Sequence, residues 1–340
     1  MTNEVDINEN DILSLDSELL TILLKDHTTS MPEKQHNIFW ATSDYKSLGT
    51  EYEYHSPITP ELITGDNSHI ITPRITKDAK TQTSRVRDKA EVFTPSWVCN
   101  SQNNLVDNAW FGRENVFNTE TTTKNGSHTW TTNKEKIKFP DGKTWQSYVR
   151  ENRMEITCGE APYLVSRYDT TTGHPIPIKR RIGLLDRKLR IVCENVDESG
   201  KWLKAVQEAY KSTYAYEWQG DSLLLAREAL LYTFIDYFKY KFGKQPQLKS
   251  LEYIAYIISW NVWQMDGLKG VVPDSCKNDV EIAEATLFGD IKRKIFCNGC
   301  KNDDIHHHNG TYCLIKDWRA KDPDTGKKGK KIKFVDLIKK

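Results

Sequence analysis

The residues best suited to chemistry lie between positions 153 and 168. There an apolar run ends in Glu155 and is followed by Cys158-Gly159 and a second apolar segment, which predicts a strand, a tight turn and a helix. At the carboxyl edge of a parallel sheet such a turn leaves backbone N–H groups free, and its glycine lets a ligand come close. Glu155 could accept hydrogen bonds there from a hydroxyl or amino group, although an ordinary strand-to-helix turn has the same pattern.

Two further acids follow strand-like runs. Glu217 ends the run 214–217 and precedes a long helical pattern over 222–238, a layout in which a carboxylate holds the ribose hydroxyls of an adenosyl cofactor. Asp221 is the alternative ribose ligand, or only the cap of that helix. Asp266 also follows a strand-like run and precedes Gly267. A strand that ends in Asp-Gly is otherwise only the signal of an ordinary turn. We therefore expect Glu155, Glu217 and Asp266 at the carboxyl ends of neighbouring strands, in a largely parallel sheet flanked by helices.

A fourth motif, Phe93-Thr94-Pro95, comes just before a helical pattern over 96–110. In their order along the chain, this motif, the turn after Glu155, Glu217 and Asp266 resemble the cofactor motifs of amino-methylating DNA methyltransferases of restriction-modification systems. The resemblance covers about residues 85–270. It implies a Rossmann-like α/β fold and an S-adenosylmethionine-dependent DNA methyltransferase of the N6-adenine type, or a modification subunit. DNA and another subunit of such a system are then the expected partners.

The resemblance also assigns a role to each cofactor-binding position. Phe93 would lie over the cofactor, and Thr94 and Pro95 would pack against its methionine end. The turn at the cofactor carboxylate would be formed by Glu155, Cys158, Gly159 and Ala161. Glu217 would accept hydrogen bonds from the ribose, and Asp266 would accept one from the adenine.

One part of the family pattern is absent. These enzymes position the target amino group with Asn or Asp followed by Pro-Pro and an aromatic residue, and this sequence contains no such segment. Asn298, after a strand-like run, is the nearest candidate for a catalytic residue. Glu160 also places an anion in the turn where a ligand carboxylate is expected. The sequence therefore predicts a chain that binds S-adenosylmethionine but methylates DNA poorly by itself.

Two alternatives stay open at this point. The chain could be a non-catalytic relative that binds DNA, cofactor or a partner subunit in phage and host defence. It could also be an unrelated α/β protein with a zinc-stabilised tail.

The tail carries a set of residues that could bind zinc. Cys297 and Cys300 have the spacing of a zinc knuckle, and Cys313 and His308, one of three consecutive histidines, complete a tetrahedral set. Cys276 could replace the histidine. An ordinary hairpin explains the same residues, because Asn309-Gly310 favours a turn.

Composition limits the class of protein. The chain has 340 residues with 48 Lys and Arg against 47 Asp and Glu, so no overall field favours nucleic acid, and phosphate contacts must come from local basic stretches such as 74–89 and 179–193. Seven cysteines, an odd number, favour reduced thiols. No run reaches the roughly 20 apolar residues of a membrane span, and the acidic start lacks a signal-peptide pattern, so we expect a cytoplasmic protein without membrane contact.

The same patterns suggest three regions. Residues 1–89 would form a helix over 11–25 and an extended arm that wraps the core, 90–272 a methyltransferase-like core, and 273–340 a small extension with the candidate zinc knuckle.

Overall fold

The computed structural model describes residues 8–77, 94–286 and 289–339. The prediction for Phe93 and most of the basic stretch before it lie outside these residues. Within them the helices are α1 (Glu9–Leu15), α2 (Ser17–Leu24), α3 (Pro60–Ile63), α4 (Ser96–Phe111), α5 (Trp145–Val149), α6 (Leu184–Asn195), α7 (Ser199–Lys211), α8 (Gly220–Phe242), α9 (Leu248–Asn261) and α10 (Asn298–Asn302).

Short strands separate these helices, and most pair as hairpins. The strands are β1 (Lys25–Met31), β2 (Lys34–Asn37), β3 (Asn118–Thr122), β4 (His128–Thr132), β5 (Arg153–Glu155), β6 (Thr213–Glu217), β7 (Val262–Gln264), β8 (Val280–Thr286), β9 (Gly289–Ile295), β10 (Leu314–Lys321) and β11 (Lys328–Lys333). The pairs β1–β2, β3–β4, β8–β9 and β10–β11 are antiparallel. The fold is therefore mixed α/β with small sheets.

The central sheet is parallel and has the strand order β5-β6-β7. Helices α6 and α7 lead from β5 to β6, and helices α8 and α9 lead from β6 to β7, because parallel neighbours need a long crossover. The expected parallel sheet is thus present but only three strands wide in the described part of the chain.

The two faces of this sheet are covered differently. Ala215 and Val262 belong to the main core, which also contains the buried faces of α7, α8 and α9. Tyr216 and Trp263, which follow them along the strands and so point to the opposite face, pack with Ile315 and other residues of the C-terminal segment. A doubly wound sheet has helices on both faces, whereas here the hairpin β10–β11 takes the place of one helical layer.

The N-terminal region is part of the main core. Leu19 and Leu23 of α2 are fully buried, as are Ile38 and Trp40 of the segment that follows β2. The single helix expected over 11–25 is two helices, because the Asp16 carboxylate accepts the N–H of Glu18 at 2.7 Å and begins a new helix.

Two other expectations need correction. No α-helix follows the turn after Glu155; residues 156–183 are irregular apart from one short 3-10 segment, and Pro162 with the polar turn at 169–173 favours this. The basic stretch 179–193, a candidate for phosphate contact, is largely the core helix α6, with Arg187 and Lys188 both 1% exposed.

No helix among the described residues is long and apolar enough to cross a membrane.

Candidate cofactor-binding edge and metal cluster

Three acids meet at the carboxyl edge of the parallel sheet, which we define by Glu155, Glu217 and Asp266. Glu155 and Glu217 are the last residues of β5 and β6, and Asp266 comes two residues after β7. Since these strands are neighbours and parallel, the three side chains lie along one edge, as the sequence predicted. All three residues are buried.

Glu155 is held by the turn that follows it. Its two carboxylate oxygens accept the backbone N–H groups of Tyr163 at 3.3 Å and Leu164 at 3.1 Å. Burial raises the pKa of Glu155 to about 8 despite these bonds, and the charge of Glu217 adds to the increase. Two of the roughly four acceptor positions of a carboxylate remain for a ligand.

Glu217 links the turn to its own strand end. One oxygen accepts the N–H of Gly159 at 2.8 Å, and the other accepts those of Trp218 at 2.9 Å and Gln219 at 3.2 Å. Burial raises its pKa, while these three bonds oppose the increase. Because three acceptor positions are used, holding both hydroxyls of a ribose requires the release of at least one N–H.

Asp266 forms the turn that leaves β7. Its Oδ1 accepts the N–H groups of Leu268 and Lys269, and its Oδ2 lies 3.4 Å from Nζ of Lys269. Gly267 is required here, because a Cβ would come within 2.6 Å of the Tyr216 ring.

The turn after Glu155 has a strained backbone. Thr157, Gly159 and Ala161 all have positive φ angles, 44°, 53° and 59°. Only glycine adopts this region without cost, and a Cβ built on Gly159 would meet nothing within 4 Å, so open space lies beside the turn. Cys158 is buried, and burial raises its pKa well above the usual range, which favours the neutral thiol.

Thr94 and Pro95 lie against this turn. The Thr94 carbonyl accepts the Oγ1 hydroxyl of Thr170 at 2.7 Å, and the Thr94 side chain is hydrogen-bonded to Tyr163. Pro95 immediately precedes α4, and the Asp169 carboxylate accepts the N–H of Ser96 at 3.1 Å at the start of that helix. The structure thus brings the second half of the predicted motif next to the residues that hold Glu155.

Glu160 and Asp221, two other acids near this edge, bind to the N-terminal region. Glu160 accepts the backbone N–H of Arg74 at 2.6 Å and the hydroxyl of Tyr168, so its charge is bound to the N-terminal region. Asp221 accepts the hydroxyl of Tyr45 at 2.7 Å and lies 3.5 Å from Nζ of Lys77. Asp221 therefore links α8 to that region, and Glu217 is the better candidate for binding the ribose.

Sequence reasoning missed two residues at this edge. The Gln264 side chain donates to the carbonyls of Phe39 and Trp218, both at 2.8 Å, and joins the N-terminal region to the ends of β6 and β7. Gln219 has a buried Oε1 without a hydrogen-bond partner among the described residues. Glutamine carries no motif signal, so only the geometry identifies these two.

A second group of side chains, which we call the thiol cluster, consists of Cys276, Cys297, Cys300 and His308. Their four donor atoms lie within 4.8 Å of one another, and the cluster could hold a metal ion such as zinc. Burial raises the pKa of Cys297, but hydrogen bonds from Cys300, Asn309 and the other cluster side chains outweigh it and lower the value to about 6.

The predicted ligand set needs one correction. Cys313 is outside the cluster: it is fully buried in the core on the sheet face, where its Sγ donates to the carbonyl of Gln264 at 3.3 Å. Cys276, which the sequence suggested only as a substitute for histidine, takes its place. Asn298, the weak catalytic candidate, is an exposed residue between two cluster cysteines at the start of α10.

Comparison with protein-family models, with curated proteins and with solved structures found no match. The carboxyl edge and the thiol cluster are therefore the two candidate functional sites.

Proposed function

We propose that this protein binds S-adenosylmethionine at the carboxyl edge and serves in DNA methylation, as an amino-methyltransferase or as the modification subunit of a restriction-modification system. The observation that supports it most is the placement of Glu155 and Glu217 at the ends of adjacent parallel strands, with Asp266 just beyond the third. An adenosyl cofactor needs acceptors along such an edge.

The charge of the edge suits this ligand. Burial raises the pKa of both Glu155 and Glu217, and the charges of Glu217 and Asp221 respectively add to the increase. A ligand with a positive sulfonium and a positive amino group would reduce the repulsion between these charges. The orphan acceptor of Gln219 offers one more position for a donor group.

When bound, the cofactor would supply an electrophilic methyl group. The chain supplies the turn with Gly159, the acceptors Glu217 and Asp266, and the wall formed by Thr94 and Pro95. It lacks the Pro-Pro-aromatic segment whose preceding Asn or Asp aligns a target amine. Loss of one such aligned contact typically lowers a rate about 10²–10³-fold, so we expect little methyl transfer by the chain alone.

Two grooves support the nucleic-acid part of the proposal. Both have basic side chains in excess. One, of about 600 Å³, lies beside the starts of β5 and β6, and the other, of about 1140 Å³, lies between β4 and α6. Their basic residues are Arg153, Lys211, Lys316, Arg319 and Lys328 in the first, and Lys134, Lys179, Arg180, Arg190 and Lys241 in the second. Such grooves can contact phosphates.

Zinc is the second bound group that we propose, at the thiol cluster. Three thiolates and an imidazole are donors that zinc prefers in structural sites. With four protein ligands, the ion would leave no position for a substrate and would not take part in methyl transfer.

Photolabelling with tritiated S-adenosylmethionine tests the cofactor part. Ultraviolet irradiation of the protein with the labelled cofactor, followed by peptide mapping, should place the label within residues 156–164, 217–219 or 264–268. An excess of S-adenosylhomocysteine should prevent labelling. Label confined to other peptides, or labelling that the competitor does not reduce, would contradict the proposal.

A further inference from the structure

We propose that the thiol cluster is a closed zinc site that clamps the Asp266 loop to the base of the β8–β9 hairpin. This inference rests on the zinc part of the proposed function and is independent of the cofactor part.

The donor atoms already have the spacing of a tetrahedral site. Sγ of Cys276 lies 3.4 Å from Sγ of Cys297 and 3.6 Å from Sγ of Cys300. Nδ1 of His308 lies 3.5, 3.4 and 3.6 Å from the sulfurs of Cys276, Cys297 and Cys300. With Zn–S near 2.3 Å and Zn–N near 2.0 Å, tetrahedral geometry requires about 3.5–3.8 Å between donors. One ion at the centre would therefore reach all four.

A disulfide does not explain this arrangement. The sulfur of Cys276 is almost equally distant from those of Cys297 and Cys300, and both distances exceed the roughly 2.05 Å of an S–S bond. All three thiols are free. A disulfide between any two would also leave the close approach of the third thiol and the imidazole unexplained.

Two glycines let the chain bring these donors together. A Cβ on Gly299 would come within 2.6 Å of the His308 backbone nitrogen and 2.7 Å of its Nδ1. A Cβ on Gly310 would come within 2.8 Å of the Cys276 nitrogen. The histidine segment can approach Cys297 and Cys300, and the segment after it can approach Cys276, only because both positions lack a side chain.

The backbone also supports a metal-bound thiolate. Sγ of Cys297 accepts the N–H of Cys300 at 3.5 Å and is further stabilised by the N–H of Asn309. Such N–H bonds to sulfur offset part of the negative charge of a thiolate. Asn309 in turn holds both backbone groups of Lys277, at 3.0 Å and 2.8 Å.

The cluster joins three chain segments that reach the carboxyl edge and the hairpin. From Cys276 the chain runs back through Val271, which is bridged to Asp266 on one side and to Tyr312 on the other. The Val272 N–H donates to the Thr311 carbonyl at 2.8 Å, which ties this loop to the segment after His308. On the other side the hairpin β8–β9 begins and ends between Cys276 and Cys297, and Asn278 accepts the Cys297 N–H at 2.9 Å.

The short elements of this region need such a clamp. Helix α10 has five residues, and the hairpin β8–β9 is a separate two-stranded sheet. Two-stranded hairpins are marginal in water by themselves. A bound ion would supply the folding free energy that burial does not provide here.

Metal analysis of the full chain, purified without a histidine tag and without added cofactor, is the first test. We expect about one zinc per chain, with X-ray absorption showing three sulfurs near 2.3 Å and one nitrogen near 2.0–2.1 Å. The variant Cys276→Ser should lose most of the zinc, while Cys313→Ala should keep it, because Cys276 faces the ion and Cys313 does not. Wild-type protein without stoichiometric zinc, or zinc lost from Cys313→Ala and kept by Cys276→Ser, would overturn the site.

Hydrogen exchange before and after removal of zinc by a chelator tests the clamp. Amides of residues 266–276 and 297–313 should exchange at least tenfold faster in the metal-free protein, while those of α8 stay protected. Unchanged exchange at 266–276 would refute the clamp even if zinc is present. Loss of protection in α8 as well would refute a local role for the ion.

Discussion

At the scale of single residues, buried charges that hydrogen-bond to backbone or to one another hold the site-bearing elements together. The Nζ of Lys188 donates to the carbonyls of Glu151 at 2.7 Å and Ser212 at 3.0 Å. Burial lowers its pKa well below the usual range. Arg187, its neighbour, pairs with Asp107 at 2.6 Å and so ties α6 to α4, the helix that follows Pro95. These contacts hold in position the starts of β5 and β6 and the helix that follows Thr94 and Pro95.

The Asp107–Arg187 pair gives a test of that arrangement. We expect Asp107→Ala to lower the free energy of unfolding by about 3–5 kcal/mol, because it leaves a buried guanidinium without its partner. Asp197→Ala removes a carboxylate that is 97% exposed and pairs with Lys241, and should change nothing measurable. Urea denaturation of both variants measures the difference. Equal stability of the two would contradict an internal role for Arg187.

Buried carboxyls should make stability depend on pH. Glu9 of α1 lies beside Glu228 of α8, and neither finds a hydrogen-bond partner in another described residue. Burial raises the pKa of Glu9 to about 8 and that of Glu228 well above its usual value. Since the folded state prefers both protonated, their contribution is complete below about pH 4.5 and is lost as the pH rises through about 8.

The variant Glu9→Gln stays neutral at every pH. Its free energy of unfolding should fall less than that of the wild type between pH 5 and 8.5, by a difference on the order of a few kcal/mol. Glu18→Gln, at an exposed position on α2, should follow the wild-type curve. Parallel curves for Glu9→Gln and the wild type would show that Glu9 is ionised in the folded protein.

At the scale of elements, close backbone contact joins the N-terminal region to the helix after Glu217. Gly220 begins α8, and a Cβ there would come within 2.1 Å of the Phe39 carbonyl oxygen and 3.0 Å of Ile58. The Gly220 N–H donates to the Trp40 carbonyl at 2.9 Å. The region is therefore packed directly on the turn that follows Glu217.

Gly220→Ala should separate these elements. We expect a loss of about 1–3 kcal/mol in the free energy of unfolding, because the new methyl group meets backbone atoms that cannot move aside cheaply. The control Gly200→Ala, in α7, meets only the flexible Glu198 side chain and should be neutral or stabilising by up to about 1 kcal/mol. Thermal unfolding of both proteins measures the contrast, and equal melting temperatures would contradict the packing.

The sequence predicts the elements whose pattern is local. The helices α4 and α8 and the strand β6 lie within a few residues of their expected positions, because periodicity and flanking turns mark them. The edge with Glu155, Glu217 and Asp266 followed from the same patterns.

What the sequence could not predict depends on distant contacts. Cys276 is 21 residues before Cys297, and only the fold brings it to the cluster in preference to Cys313. Two local features also override the helical patterns: the Asp16 carboxylate that caps α2, and Pro162 with the turn at 169–173 in the irregular segment after Glu155. The basic pattern of α6 resembles that of a surface helix, because composition does not show that Arg187 pairs with the buried Asp107.

At the scale of the whole molecule, one short parallel sheet is enclosed by unlike layers. Helices α8 and α9 cover one face, and the hairpin β10–β11 with Phe334 covers the other, so the carboxyl edge with its turns lies between them. The N-terminal region closes on this edge through Gln264, and the thiol cluster holds the loop after Asp266. We propose that S-adenosylmethionine binds at this edge.

Equilibrium dialysis of S-adenosylmethionine against three folded proteins tests that claim most directly. The wild type should bind one cofactor per chain with saturation, and Glu217→Ala should bind at least tenfold more weakly, a change of about 1.4 kcal/mol. The matched variant Glu198→Ala, at an exposed position in front of α7, should bind like the wild type. Circular dichroism confirms that each variant is folded. Absence of saturable binding by the wild type, or equal affinity of the wild type and Glu217→Ala, would contradict the account.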